Sequence, residues 1–106
     1  MGNFIVRFER QGVERFLLWN SERDAPCGPA MTEKQLEEVI KEEHGNSGLR
    51  DLPMRLERAR EWGTSRIDGT SAEDACAINR AGPGETELTF EEIWKQYVEP
   101  TLDGQP

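Results

Sequence analysis

The amino-acid sequence predicts an α+β fold. An N-terminal antiparallel β-hairpin packs against three to four α-helices, with residues 64–68 readable as either a short third strand or a loop. Three observations predict it. The stretch "NFIVRFERQGVERFLLWN" alternates apolar and polar residues on both sides of a Gln11-Gly12 turn. The stretch "MTEKQLEEVIKEEHG" opens with capping residues and carries apolar residues at helical spacing. The same opening returns in "LTFEEIWKQYVEP".

In the hairpin, Phe4, Val6 and Phe8 alternate with Ile5, Arg7 and Glu9. After the turn, Val13, Arg15, Leu17 and Trp19 fall on one face and Glu14, Phe16, Leu18 and Asn20 on the other. Period-two runs around a glycine turn read as paired strands. The second strand is apolar on both faces toward its end, so it is the more buried one. A two-stranded sheet is marginal alone, so helices must cover one face. The outer edges stay open, which points to homodimerisation by strand addition.

Residues 21–31 form a loop. Thr32 then caps a first helix, Gln35 closes a capping box, Met31 and Leu36 form a hydrophobic staple, and Gly45 stops the helix. Leu36, Val39 and Ile40 make its apolar stripe. After "GNSG", Asp51 caps a second helix, Pro53 lies in the tolerated first turn, and Gly63 ends it. Ser71 opens a shorter third helix to about Arg80, with Ala75, Cys76 and Ile78 as its apolar members. "AGPGE" is a firm break. Thr89, Glu92, Leu88 and Ile93 repeat the box and staple, and Pro100 lies past the helix end. Residues 1–100 thus form a single domain, and 101–106 a frayed tail.

Charge narrows the function. The chain has 106 residues, 21 acidic against 13 basic side chains, and a net charge of −8. No Lys/Arg cluster offers nucleic acid the basic face it needs, so no nucleic-acid partner is expected. No window approaches a membrane span, so no membrane partner is expected either. No signal peptide opens the chain, and its two cysteines have no paired spacing; both readings point to a reduced, cytoplasmic protein. A basic protein surface would be attracted.

Catalytic and metal chemistry find little footing. Cys27-Gly28-Pro29 is similar to the thioredoxin Cys-Gly-Pro-Cys motif over three consecutive residues. Ala30 stands where the second cysteine belongs, the preceding strand belongs to a hairpin, and the helix cap lies further on, at Thr32. Cys27 therefore reads as a loop residue. His44, the one histidine, reads as a helix-end residue rather than as a base for Cys27. Zinc spacings, a Glu-x-x-His pair, a calcium loop and a phosphate loop are all missing, so no metal and no cofactor are expected.

Three function classes follow. First is a small, acidic, non-enzymatic interaction module that binds a basic protein surface, or itself, with Glu37, Glu38, Glu42 and Glu43 as the partner-binding residues. Glu42 and Glu43 crowd the predicted end of the first helix, against the macrodipole. Pairing with Arg50, Arg55 or Arg58 on the next helix is the simpler expectation for those two. Second is a small-molecule binder with a cleft lined by Trp19, Trp62 and Trp94. Third is a Cys27-dependent enzyme. Phe90, Trp94 and Tyr97, at i, i+4 and i+7, read as a core-facing stripe.

Overall fold

The computed structural model describes residues 3–102. Strands β1 (Asn3–Arg10) and β2 (Val13–Asn20) form the predicted hairpin. Their antiparallel register sets Phe4 opposite Trp19, Val6 opposite Leu17 and Phe8 opposite Arg15. The turn uses positive φ at Gln11 and Gly12, the backbone that two-residue hairpin turns require. The third strand is not residues 64–68. It is β3 (Ala25–Pro26), paired antiparallel to the end of β2, so the sheet order is β1-β2-β3. Of 64–68, only Thr64 pairs with a strand, in a single bridge to Val6.

That bridge changes the reading of the sheet edges. On the outer side of β1, Arg7 N donates to Gly63 O at 2.9 Å and Ser65 N donates to Ile5 O at 2.9 Å. Ile5 N donates to Ser65 Oγ at 2.9 Å. On the outer side of β2, Phe16 and Met31 exchange bonds at 2.7 and 2.8 Å, and Cys27 N donates to Leu18 O at 2.7 Å. Edge groups of Ile5, Arg7, Phe16 and Leu18 are thus bonded to the chain's own loops rather than open to strand addition. A second copy would have to displace them.

Both sheet faces are covered, not one. Ile5, Phe16 and Leu18 pack with Leu36, Ile40, Leu52, Leu56 and Ala59. Val6, Phe8, Leu17 and Trp19 pack on the other side with Cys76, Leu88, Ile93, Trp94 and Val98. This is why β2 is apolar on alternate and on intervening positions: each of its faces borders a separate core.

The first core is closed by α1 (Glu33–Trp62), in which the two expected helices follow one another across a kink. Thr32 caps it with both bonds of the capping box, and Gly63 ends it at φ 102°. Gly45 does interrupt the helix, with φ 65° and ψ −152°, but the chain resumes helical geometry at once. The interruption is therefore a kink between two halves. Asp51 and Pro53 lie inside the second half rather than at its start. The reason is tertiary: Leu36 and Ile40 before the kink, and Leu52, Leu56 and Ala59 after it, bury against the same sheet face.

The C-terminal half is shorter in helix than expected. Ser71 caps α2, but α2 spans only Ala72–Ala75. The buried Asn79 explains the early stop. Its Nδ2 donates to Cys76 O (2.9 Å) and Leu88 O (2.8 Å), and its Oδ1 accepts from Leu88 N (2.9 Å). A side chain that satisfies the backbone in this way competes with the helical ladder. Ile78 consequently points outward.

A short 3-10 turn (Pro83–Glu85) precedes the last helix, which runs as α3 (Phe90–Ile93), a π-helical turn (Trp94–Val98) and α4 (Glu99–Leu102). Pro100 lies in this helix, not past it, and brings no N–H for Gln96 O. The ladder widens just before it, with Glu99 N donating to Trp94 O, five residues back. Thr101 and Leu102 are helical; the rest of the expected tail, residues 103–106, lies outside the described residues. No described helix is long and apolar enough to cross a membrane.

Candidate functional site

The residues singled out from the sequence do not form one site. Trp19 and Trp94 belong to the core against β1 and β2, whereas Trp62 is 51% exposed at the end of α1. Trp94 is held there by an aromatic cluster: Phe8 lies 5.9 Å from it and 5.3 Å from Phe90, centroid to centroid. Two of the three indoles that were to line a cleft thus fill the interior instead.

The four glutamates are all exposed on the first half of α1, but they point in different directions. Steps of one, four and one residue spread them around the helix. Glu37 borders a groove with Leu49, Leu52 and Leu56. Glu38 and Glu42 border another concavity with Arg15 and Met31. Glu43 lies 3.9 Å from His44 Nε2. The expected pairing of Glu42 and Glu43 with Arg50, Arg55 or Arg58 is not formed. Among the described residues, Glu37, Glu38 and Glu42 make no ion pair.

Cys27 is exposed and continues the β3 backbone. Its Sγ lies 3.9 Å from Asn3 Oδ1, and no hydrogen bond connects it to His44. Partial burial, and then the Glu43 charge, hold its thiol above the ordinary range, against a smaller opposing effect of Arg23. A nucleophile needs the opposite shift. Cys76, buried with no partner charge, is pushed up to about 12.

The arrangement that sequence reasoning missed is basic. An open concavity of ≈ 570 Å³ is lined by Asn3, Phe4, His44, Arg55, Arg58 and the loop residues Ser65, Arg66 and Ile67. Each element brings its part for a local reason. The Gly45 kink leaves His44 on one half of α1 and the two arginines on the other. Arg55 and Arg58, three residues apart, share a helix face. The backbone pairing of Gly63 and Ser65 with β1 sets the loop beside Phe4.

The cations in this concavity are unequally satisfied. Arg66 donates to Asp68 at 3.2 Å, and its guanidinium carbon sits 5.3 Å from the Phe4 ring centroid. Arg58 spends Nε on Ser65 O at 2.9 Å, which leaves its terminal nitrogens free of a described partner. Arg55 is half-buried and has neither a hydrogen bond nor an ion pair among the described residues. Burial, followed by the Arg58 charge, lowers its pKa, and Asp51 only partly offsets them. Two neighbouring guanidiniums with no carboxylate at ion-pair distance among the described residues are electrostatically unfavourable until an anion arrives. Planar guanidinium forks suit carboxylate and phosphate oxygens alike.

No local signal announces this site. Its members come from positions 3–4, 44, 55–58 and 65–67, which only the fold brings together. No protein-family model, no curated protein and no solved structure matches this chain.

Proposed function

We propose that the protein is a non-enzymatic binding module that captures an anionic group between Arg55 and Arg58. One observation carries the reading. On a chain of net charge −8, two adjacent, half-buried arginines without a carboxylate partner line an open concavity. An anion there would accept charge-assisted hydrogen bonds and relieve the repulsion between them. The raised thiol of Cys27 and its lack of a hydrogen-bonded base favour binding over nucleophilic catalysis. Two free thiols suit a reducing compartment such as the cytoplasm.

Inorganic phosphate tests the reading by thermal melting. A ligand of the native state raises the midpoint as its concentration passes its Kd. Phosphate also stabilises proteins generally by exclusion from their surfaces. The informative quantity is therefore the difference between wild type and Arg55→Met. The expected result is a larger rise in the wild type. Equal shifts in the two proteins would remove the proposal.

A second reading keeps a basic protein partner, met by Glu38 and Glu42. Their freedom from ion pairs and shared concavity favour it. Its signature is an association rate that falls steeply with salt.

A further inference from the structure

Three large apolar side chains are exposed in or near the arginine concavity. Ile67, in its lining, is 90% exposed. Met54, four residues before Arg58, is 56% exposed, and Trp62, four residues after it, is 51% exposed. Positions four apart lie one above the other on a helix face, so Met54, Arg58 and Trp62 form a column with Arg55 beside it. The Trp62 indole rests against Gly69, at the end of the turn that carries Ile67. Large apolar side chains grouped around unpaired cations mark an interaction surface. Arginine and tryptophan are also the residue types that dominate binding energy at interfaces.

Resting on the proposal that this concavity takes an anion, we infer that its occupant is an acidic segment of a protein partner carrying large apolar side chains. Its carboxylates meet Arg55 and Arg58, and its apolar groups cover Ile67, Met54 and Trp62. Charge complementarity selects this occupant. Nucleic acid needs many phosphate contacts to bind well, and the site offers Arg55 and the terminal nitrogens of Arg58, whose Nε is spent on Ser65 O. A free small anion would leave the three apolar side chains in water, and an open concavity would enclose little of it.

The test uses the full chain and a random peptide library displayed on phage. Peptides selected on the wild type are expected to combine Asp or Glu with Phe, Leu, Ile or Trp, and to be lost on Arg55→Gln. Fluorescence anisotropy then measures the best of them. Met54→Gln, at an exposed helix position outside the lining of the concavity, is expected to weaken it by about tenfold. The same variant should leave inorganic phosphate binding unchanged. Arg55→Lys, which keeps charge but not the planar fork, should weaken both ligands. Selected peptides without acidic residues, or acidic peptides without apolar ones, would overturn the inference. So would no enrichment at all, or single-stranded RNA outcompeting the peptides. If phosphate binding still depends on Arg55 in those cases, the anion site stands and only the occupant is wrong. If no ligand depends on Arg55, both proposals fall.

Discussion

Arg10 sits over the core residue Trp94: its guanidinium carbon is 4.2 Å from the centroid of the Trp94 ring. The same guanidinium donates two hydrogen bonds to Glu91, at 2.8 and 2.9 Å. The end of β1 is thereby fastened to the start of the last helix, over the largest side chain of that helix. Trp94→Ala removes the aromatic that Phe8 and Arg10 cover. It should cost about 3–5 kcal/mol, a large share of a domain's stability, and abolish cooperative thermal melting. A normal melt in this variant would contradict the core role of Trp94.

Glu14 ties three elements together. It accepts from Arg7 at 2.6 Å and from Arg60 at 2.9 and 3.0 Å, and Arg60 reaches on to Glu33 at 2.7 Å. The bonds from Arg60, with help from Arg7, lower its pKa from 4.5 to about 2 despite partial burial. A depressed carboxylate stabilises the fold above its unfolded pKa, and that stability is lost as pH falls through the folded pKa. Glu14→Gln should cost about 1–2 kcal/mol at pH 7 after allowance for solvent screening. In urea titrations the gap between the two proteins should close as pH falls from 4.5 to about 2.

Gly45 holds φ 65° and ψ −152°, a backbone region that side chains avoid. Gly45→Ala should therefore destabilise by about 1–3 kcal/mol, although an added methyl would meet no atom within 4 Å. Chemical denaturation measures this directly. A neutral effect would mean that the kink can be relieved without loss of packing.

The two thiols should separate in reactivity. Cys76, buried and raised to about 12, should react with Ellman's reagent only after unfolding. Cys27 should react in the native state, more slowly than free cysteine, since its thiol is raised too. Cys27→Ser should change stability by less than about 0.5 kcal/mol.

Arg55→Met distinguishes a binding residue from a structural one. It keeps an apolar stem over the surface that the arginine stem covers and removes the charge next to Arg58. Stability should be unchanged or higher by up to about 0.5 kcal/mol, while anion binding is lost. A clear loss of stability would make Arg55 a structural residue.

The sequence by itself determined whatever rests on neighbours along the chain. Thr32, Ser71 and Thr89 each cap the helix they were read to cap, because the bond is made to a backbone N–H three residues on. The hairpin was legible for the same reason, since a short turn and period-two alternation leave one register that buries Val6, Phe8 and Leu17 together. Tertiary structure alone decided the rest. It packed the segments on either side of the Gly45 kink against one sheet face, where Ile40 and Leu52 share a core that neither segment reveals alone. It shortened α2, because Asn79 found Leu88 nine residues away. It assembled the arginine concavity from four separated stretches, where Arg55 and Arg58 lost part of their water without gaining a carboxylate. Neither burial nor the lack of a partner is a property of a residue's type or spacing. Both arise only when distant segments pack.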